Sequence, residues 1–449
     1  MISLTELAEL QSKLEMNDPD VIREILEELP PYDLRQFFFF IDEEQQKELL
    51  SYLSVSKTAH LFEEMEHLEQ KRKFMSLIPD ALKSKIFREI SSDDLADFLG
   101  EISQNEAESI LTKLDQPEAE NVRDLLHYPE DTAGGLMTTE YVHIMSEITA
   151  SEAIEQLRQK APNAETIYYL YVVDVSGHLL GVVSLRELLV AKPEVKIHDI
   201  MYERIISVPV DLDQEEVAKV FTRYDLLAVP VVDHHHTLRG IVTVDDVMDV
   251  LIEEAQEDFA NFSGGGGDQG LFVSPLQAVR KRIPWLILLL LIGLITANLI
   301  NLFQETTQKL PILLIFMPMI AGMTGNAATQ SLATVIRLIS NGELTRENYG
   351  KLLRQESTIA MLIGFFCSLF ILGFISLSYD GRLGILVAVC LFFTLIIGTI
   401  VGTVIPMVLQ VFKIDPTVAS GPLITTINDV VSLMIYFGLA TLFVQLISS

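Results

Sequence analysis

The stretch "PLITTINDVVSLMIYF" (Pro422–Phe437) lies in a long apolar run near the C-terminus and contains a single carboxylate, Asp429. An ionised side chain at the centre of a bilayer costs at least a few kcal/mol, so such residues usually face water or a polar partner. No Lys or Arg lies in this segment to neutralise the charge. The run predicts a membrane helix. Its carboxylate predicts either a cation site or a structural hydrogen bond to Thr425, Thr426 or Asn428.

Four more apolar stretches precede this one, and each approaches the roughly 20 residues with which a helix crosses the hydrocarbon core. The predicted membrane helices cover about 284–302, 311–339, 358–377, 383–411 and 422–447. With the N-terminus inside, eight basic residues flank the cytoplasmic side, whereas Lys309 and Arg382 lie in outer loops. Basic residues favour the cytoplasmic side. We therefore expect an all-α polytopic domain over 271–449, surrounded by cell-membrane lipid, with the C-terminus outside.

The second stretch contains "MPMIAGMTGNAATQSLATVIRLI" (Met317–Ile339), which is rich in polar residues, Gly and Pro. Proline removes a helix hydrogen bond, and backbone carbonyls freed in this way are tolerated at membrane depth only in protein or along water. The composition fits a kinked, tightly packed helix, or an interrupted helix beside a polar path. Together with Asp429 it favours the polar path. The predicted path residues are Pro318, Gly322, Gly325, Asn326, Gln330, Thr425 and Asp429.

The charge is distributed unevenly along the chain. Of 62 acidic and 32 basic residues, 55 acidic and 22 basic residues precede Arg280. Nucleic acid is excluded as a partner, because phosphate binding needs basic patches. The two cysteines lie in apolar segments and form no disulfide framework or zinc motif. The acidic, amphipathic N-terminus does not resemble a signal peptide, so the first part is expected in the cytoplasm.

Residues 1–130 have apolar residues at three- and four-residue spacing, as in "DLRQFFFFIDEEQQKELLSYL". This spacing predicts amphipathic helices, and helix breaks are expected at Pro30–Pro31, Pro79 and Pro117. Short helices in succession favour stacked helical hairpins in a superhelical, all-α N-domain. We expect Phe37–Phe40 to lie in its core.

An internal repeat follows, in which "YVVDVSGHLLGVVSLRELL" (Tyr171–Leu189) matches "PVVDHHHTLRGIVTVDDVM" (Pro230–Met248). Each copy predicts strand, turn, strand and helix. The pair resembles tandem CBS domains, small α/β regulatory modules, over 131–197 and 198–251. Such pairs often bind adenine nucleotides. Tyr169 and Arg186 are candidates to contact ATP, or else surface and packing residues. His234–His236 fall in a turn, where adjacent side chains point apart, so we do not expect a metal site there.

The segment 245–270 combines an acidic helix with a glycine-rich linker. On a helix, Asp246, Asp249, Glu253 and Glu257 share one face, and like charges at this spacing oppose helix formation. Either this face is solvated, or divalent cations compensate it, since hard cations prefer oxygen ligands. Other acidic groups could complete cation sites across domain borders: Asp93, Asp94, Asp97, Asp213, Glu215 and Glu216.

The order of these parts resembles the MgtE family of magnesium channels over essentially the whole chain. The specific stretches are "PMIAGMTGNAATQS" (Pro318–Ser331), "DPTVASGPLITTINDV" (Asp415–Val430) and "VDDVMDVLIEEAQED" (Val244–Asp258). Thr324, Ala328 and Ser432 stand where the family often has glycine, and the linker 262–270 is unusually glycine-rich. These differences bear on fine pore geometry and on how stiffly the linker couples its neighbours.

The resemblance implies a homodimer whose pore is lined by the second and fifth membrane helices of both subunits. Asp429 matches the family's selectivity carboxylate, and Asp415 and Glu257 match acids that share a cation beneath the pore. Cytosolic Mg²⁺ would then bridge the acidic faces and close the pore through the connecting helix. The candidate magnesium ligands are Asp429, Asp415, Glu257, Asp258, Glu254, Asp246, Asp249, Asp93, Asp94, Asp97, Asp213, Glu215, Asp225 and Gly135.

Two other functions are compatible with the sequence. A secondary transporter could use Asp429 as an ion-coupled site. A membrane-anchored sensor could report Mg²⁺ or nucleotide to another protein, although an anchor would not need the polar second helix. The chain has no phosphate loop and no recognisable nucleophile–base motif, so we expect no enzyme activity.

Overall fold

The computed structural model describes residues 4–15, 19–65, 67–262, 275–418 and 421–448. The chain divides into two compact units, Met1–Ile252 and Glu253–Ser449. The glycine-rich part of the linker, 263–270, lies outside the described residues.

The first unit begins with ten short helices. They are α1 (Leu4–Glu15), α2 (Pro19–Glu28), α3 (Pro31–Phe40), α4 (Glu43–Tyr52), α5 (Val55–Glu63), α6 (Leu68–Leu77), α7 (Asp80–Glu89), α8 (Ser92–Glu101), α9 (Gln104–Leu111) and α10 (Gln116–Leu125). Helices two apart along the chain pack together, such as α5 with α7 and α8 with α10. The helical N-domain predicted from the sequence is confirmed.

The prolines act at helix starts, as the sequence predicts. Pro31 opens α3, Pro79 caps α7, and Pro117 lies in the first turn of α10. A proline costs little there, because the first N–H groups of a helix have no partner inside it. The prediction for Phe37–Phe40 is half correct. Phe37 and Phe38 are buried, whereas Phe39 and Phe40 lie on the exposed side of α3.

The rest of the first unit contains two similar α/β copies. The first has β1 (Tyr141–Met145), α11 (Ala150–Lys160), β2 (Thr166–Val173), β3 (Leu179–Ser184) and α12 (Leu185–Val190). The second has β4 (Val208–Pro209), α13 (Gln214–Tyr224), β5 (Ala228–Val232), β6 (Leu238–Thr243) and the start of α14 (Val244–Phe262), which belongs to the second unit from Glu253 onward.

In each copy a parallel pair of strands is followed by an antiparallel hairpin, in the orders β1-β2-β3 and β4-β5-β6. The predicted repeat is therefore present in three dimensions. The hairpin turns also correspond, since Gly177 has φ +84° and His236 has φ +62°. His236 thus occupies a left-handed position that favours glycine.

From Pro275 onward, the described part of the second unit contains five long α-helices and one short α-helix. They are α15 (Pro275–Leu302), α16 (Gln304–Lys309), α17 (Leu313–Ser340), α18 (Tyr349–Ser378), α19 (Gly381–Val411) and α20 (Gly421–Ser448). Among the described residues, four segments are long and apolar enough to cross a membrane: Pro275–Leu302, Arg346–Ser378, Gly381–Val411 and Gly421–Val444. Helix α17 has 28 residues and a polar face. The chain spans a membrane, and its membrane part is helical, as the sequence predicts.

The expected interruption of the second membrane helix is wrong, because α17 is continuous from Leu313 to Ser340. Pro318 is the sixth residue of the helix and removes a single hydrogen bond from its backbone ladder. The polar side chains are accommodated within the helix. Thr324 Oγ1 donates to the carbonyl of Ile320 at 2.9 Å, and Thr329 Oγ1 donates to that of Gly325 at 3.0 Å.

Helix α19 holds α17 and α20 in place through two glycines spaced four residues apart, Gly398 and Gly402. A Cβ on Gly402 would meet the backbone of Ala328 in α17, with the carbonyl carbon at 2.8 Å. A Cβ on Gly398 would meet the Asn428 side chain in α20 at 2.9 Å. Small residues at this spacing let membrane helices approach closely. The packing leaves one polar face of α17 uncovered.

Candidate functional site

The uncovered face of α17 consists of the residues that the sequence predicts for a polar path. Pro318, Gly322, Asn326 and Gln330 recur at every fourth position and are exposed in the single chain. Residues at i and i+4 lie on the same side of a helix. A polar stripe in a membrane helix needs water or protein beside it, because lipid satisfies no hydrogen bonds.

Helix α20 packs beside this stripe. A Cβ on Gly325 would meet Thr425 Cγ2 at 3.0 Å, and the hydroxyls of Thr329 and Thr425 lie 3.3 Å apart. The second and fifth membrane helices are therefore neighbours within one subunit.

Asp429 lies one turn further along α20 than Thr425 and is half-buried. No ion pair to Asp429 is present among the described residues, and the contact made by Ser432 Oγ goes to its backbone carbonyl, at 3.2 Å. Neighbouring Asn428 is fully buried, and its amide nitrogen and oxygen have no hydrogen-bond partner in the described chain. The carboxylate is thus left without the bundle hydrogen bonds that a purely structural role requires.

At the N-terminal end of α20 lies an open, shallow cavity of about 590 Å³. It is lined by Phe259, Phe262, Thr329, Gly421, Pro422, Thr425 and Thr426. Phe262 packs against a buried apolar cluster of Ala328, Leu332 and Ile424. Asp258 accepts a hydrogen bond from Ser340 Oγ at 3.1 Å, near the end of α17. The last turn of α14 is therefore attached to the helices that carry the polar stripe.

Asp415 and Glu257, which the family resemblance pairs around one cation, each form local hydrogen bonds. Asp415 is exposed and accepts hydrogen bonds from the backbone N–H (2.9 Å) and hydroxyl of Thr417. Glu257 is exposed and accepts a hydrogen bond from Asn261 at 3.4 Å. Glu254 is half-buried.

The first unit contains a cluster of carboxylates where α8 meets the start of α14, which we call the acidic cluster (Asp93, Asp94, Glu140, Glu165 and Asp246). The Asp93 and Asp246 carboxylates repel each other, and Asp94 is repelled by Asp249. Asp93 and Asp94 of α8 therefore lie near the acids at the start of α14. Exposed Asp97 lies on the next turn of α8. The positive charge of Lys71 partly compensates the negative charges of Asp94 and Asp97.

Burial dominates the electrostatics of the acidic cluster. It raises the pKa of Asp94 to about 6 and that of Asp246 to about 7, and it raises the pKa of Asp93 well above its ordinary range. Asp93 Oδ1 is buried without a hydrogen-bond partner among the described residues. A group of ionised carboxylates in this environment lacks compensation, which either protons or a cation can supply.

The remaining predicted ligands are scattered over the second α/β copy and its neighbours. Asp213 caps α13 and accepts from the Glu215 backbone at 2.9 Å. Asp213 also pairs with Thr132, whose carbonyl accepts from the N–H of Gly135 at 2.9 Å, so Asp213 and Gly135 lie beside the same loop. Exposed Asp225 ends α13 in a left-handed conformation, φ +52°.

The two nucleotide candidates lie in the first α/β copy. Tyr169 is half-buried on β2, opposite Ser184 of β3, and Arg186 is exposed in the first turn of α12. In the described chain no three His, Cys, Asp or Glu side chains are close enough to hold a bare metal ion.

Comparisons with known proteins agree with this organisation. Residues 17–131 match the MgtE intracellular N domain, residues 133–194 and 197–253 match CBS domains, and residues 317–439 match the divalent cation transporter MgtE. The chain is 43% identical to magnesium transporter MgtE of Bacillus subtilis over 425 residues, 94% of each chain. It belongs to the MgtE family.

Other MgtE proteins are similar over nearly their full length. The magnesium transporter MgtE of Enterococcus faecalis is 37% identical over 98% of this chain and 96% of its own. That of Thermus thermophilus is 34% identical over 97% and 98%. The family consists of transporters, so this chain is not an enzyme.

Two solved structures are similar to about half of this chain. The soluble part of a magnesium transporter matches with a TM-score of 0.53 and 39% identity, covering 56% of this chain and 98% of that one. The cytosolic domain of the Mg²⁺ channel MgtE in complex with ATP matches with a TM-score of 0.52 and 40% identity, covering 54% and 99%.

Two buried or half-buried carboxylates of this MgtE chain, Glu140 and Glu356, are not predicted from the sequence as part of these sites. Glu140 accepts hydrogen bonds from the backbone (3.1 Å) and hydroxyl (2.9 Å) of Ser92, at the start of α8. Glu356 in α18 is buried and accepts from Ser331 Oγ at 2.7 Å. Glu140 carries no periodic signal, whereas Glu356 stands just before an apolar run and could have been noticed there.

Proposed function

We propose that this chain is a Mg²⁺-selective channel for magnesium uptake, gated by cytosolic Mg²⁺. The observation that carries the proposal is the half-buried Asp429 carboxylate, which lacks an ion-pair partner among the described residues. It lies on the helix beside the exposed polar stripe of α17. A cation is the natural partner for such a group, and the named relatives are magnesium transporters.

The conducting form is a homodimer in which the polar stripes of two α17 helices and two Asp429 carboxylates face a common pore. A second subunit would cover the stripe that one subunit leaves exposed. Mg²⁺ loses its water reluctantly and prefers octahedral oxygen coordination. Two facing carboxylates can hold the hydrated ion through its water shell, with Asn326, Thr425 and backbone carbonyls completing the lining.

Gating follows from the charge of the acidic cluster. Mg²⁺ between Asp93, Asp94 and Asp246 would stabilise the contact of α8 with α14, whereas its loss leaves mutual repulsion. Because α14 continues to Phe262, a change at its start can reach the side chains that line the cavity at α20. Such a switch requires Mg²⁺ to bind the closed state more tightly than the open one. Asp415, Glu254, Glu257 and Asp258 supply oxygen ligands near the end of α14.

The orientation follows from the positive-inside rule, with the first unit in the cytoplasm and the C-terminus outside the cell membrane. Cytosolic Mg²⁺ then reaches the acidic cluster directly, and the transported ion acts as its own inhibitor.

The test is flux through the purified protein in liposomes, at several Mg²⁺ concentrations on the side of the first unit. We expect Mg²⁺ flux without any second ion gradient, single-channel current steps, and closure as Mg²⁺ rises. Flux that requires a proton or sodium gradient would instead identify an ion-coupled carrier. A protein that carries no Mg²⁺ under any of these conditions would be a sensor.

ATP is a second proposed ligand, because the similar cytosolic domain was solved with ATP. Tyr169 would stack on the base and Arg186 would contact the phosphates. Calorimetry on the full chain should show ATP binding that is weakened by Tyr169→Ala. The neighbouring Tyr168→Ala, at a more exposed position on the same strand, is the control. Equal binding by both variants would remove Tyr169 from the site.

A further inference from the structure

Glu356 is a carboxylate buried inside the membrane unit, 6% exposed, in the eighth position of α18. Because an α-helix rises 1.5 Å per residue, Glu356 lies about 10 Å along the axis from the start of α18. The described structure gives it no ion-pair partner. Burying a carboxylate without a counter-charge is costly, so the group is expected to perform a task.

The partners of Glu356 come from the two neighbouring helices. Ser331 Oγ of α17 donates to Glu356 Oε2 at 2.7 Å, and Ser331 Oγ lies 2.7 Å from Thr403 Oγ1 of α19. Ser331 has one hydroxyl proton, so while it donates to Glu356 the contact between Ser331 and Thr403 depends on the Thr403 proton, which Thr403 also directs to the carbonyl of Thr399. Thr403 Oγ1 is also 2.9 Å from the carbonyl of Thr399. The three side chains form a buried hydrogen-bond chain from α18 through α17 to α19.

This chain lies beside the closest approach of α17 and α19. Gly402 precedes Thr403, and its Cα faces the backbone of Ala328, one turn before Ser331. Contact at Gly402 fixes the distance between the two helices but does not by itself fix the rotation of α17 about its axis. A directed hydrogen bond at Ser331 fixes that rotation. Gln330 is the residue before Ser331, so its place on the stripe depends on the same rotation.

We propose that Glu356 is a positioning residue for transport: through Ser331 it sets the rotation of α17 and keeps Asn326 and Gln330 on the pore face. The proposal rests on the proposed function, in which this face of α17 lines the pore. A carboxylate suits this task, because its oxygen accepts the hydrogen bond that Ser331 donates. Asp429 meets the ion, whereas Glu356 acts through α17.

The first test compares Glu356→Gln with Glu356→Leu in liposome flux. Glutamine has the same shape and retains an acceptor for Ser331, so its flux should stay within about twofold of the parent's. Leucine removes the acceptor, and we expect flux to fall by about tenfold or more, since a small misplacement of a site costs this much. Exposed Glu347, treated in the same way, is the control and should change little. Glutamine as damaging as leucine, or leucine without effect, would overturn the proposal.

The second test measures the rotation of α17 by the rate of cysteine labelling and does not depend on transport. In a background with Cys367→Ala and Cys390→Ala, the Asn326→Cys variant should react with a water-soluble maleimide at a rate set by its exposure. Adding Glu356→Leu should change that rate, and Glu356→Gln should not. An unchanged rate in both variants refutes the positioning role. A parent protein that carries no Mg²⁺ contradicts only the proposed function, because the labelling result still decides on Glu356.

Discussion

Two carboxylates of this chain lack compensation in different surroundings. Asp429 lies on an apolar helix, and Asp93 lies among other buried carboxylates with one oxygen unpartnered in the described chain. An uncompensated buried charge destabilises a protein by several kcal/mol, so evolution removes it unless it has a use. Both positions favour a cation taken from solution, one as transported ion and the other as regulator.

Replacing Asp429 tests the transported ion. Asp429→Ala should abolish Mg²⁺ uptake into liposomes, because the carboxylate that attracts the ion is lost, while folding and dimerisation are retained. Glu347→Ala removes one exposed acid from the same unit and should leave uptake unchanged. Undiminished Mg²⁺ flux in Asp429→Ala, with normal size-exclusion behaviour, would refute the pore role.

The acidic cluster should make the stability of the first unit depend on pH when Mg²⁺ is chelated. Burial raises the pKa of Asp94 to about 6 and that of Asp246 to about 7, so the folded form binds protons more tightly than the unfolded chain. Stability is therefore gained as pH falls through 7 and 6, and is lost as pH rises through the same range.

Limited proteolysis of the full chain in chelator should be several-fold slower at pH 5.5 than at pH 8. Mg²⁺ at pH 8 should restore resistance, because it compensates the same charges. Asp94→Asn with Asp246→Asn should flatten the pH dependence. Equal proteolysis rates at both pH values in the parent would contradict the electrostatic account of this cluster.

At the scale of helices, sequence patterns located the elements but not their exact ends or internal contacts. Helix α18 begins at Tyr349, nine residues before the predicted membrane stretch, and the difference includes Glu356. Hydropathy ends a stretch at the first charged residues, whereas a helix continues through them when partners such as Ser331 are available. Likewise, Pro318 and the glycines of α17 predicted a break that the packing of α19 makes unnecessary.

The close approach at Gly402 gives an element-scale prediction. Gly402→Ala would place a Cβ 2.8 Å from the carbonyl carbon of Ala328, so α17 and α19 must separate. Overpacking of this kind costs about 1–3 kcal/mol. We expect a lower thermal unfolding midpoint in detergent and reduced Mg²⁺ flux. Gly373→Ala in α18 meets no atom within 4 Å and is the matched control. Equal midpoints for the two variants would contradict the packing.

At the scale of the whole molecule, the sequence predicted the fold classes through repeats and composition. The 59-residue offset between the α/β copies reappears as two sheets of the same order, because both copies repeat the same turn and strand residues. The acidic cluster was only partly predictable. Folding brings Glu140 and Glu165 close to Asp93 from distant segments of the chain, and no local sequence pattern predicts this proximity.

The last prediction concerns the proposed control of Mg²⁺ flux by cytosolic Mg²⁺. Neutralising Glu254, Glu257 and Asp258 to the corresponding amides should leave a channel that conducts at high cytosolic Mg²⁺. The reason is that ligands at the end of α14 would no longer favour the closed state, while Asp429 remains intact. Patch recordings at low and at millimolar-scale Mg²⁺ on the side of the first unit measure this directly.

The control variant neutralises three exposed acids of the N-domain, Glu24, Glu28 and Glu44, and removes the same charge. It should still close, because bulk negative charge is not the sensor. Normal closure of the first variant would contradict the sensor role of these three acids, and loss of closure in the control would assign gating to net charge instead.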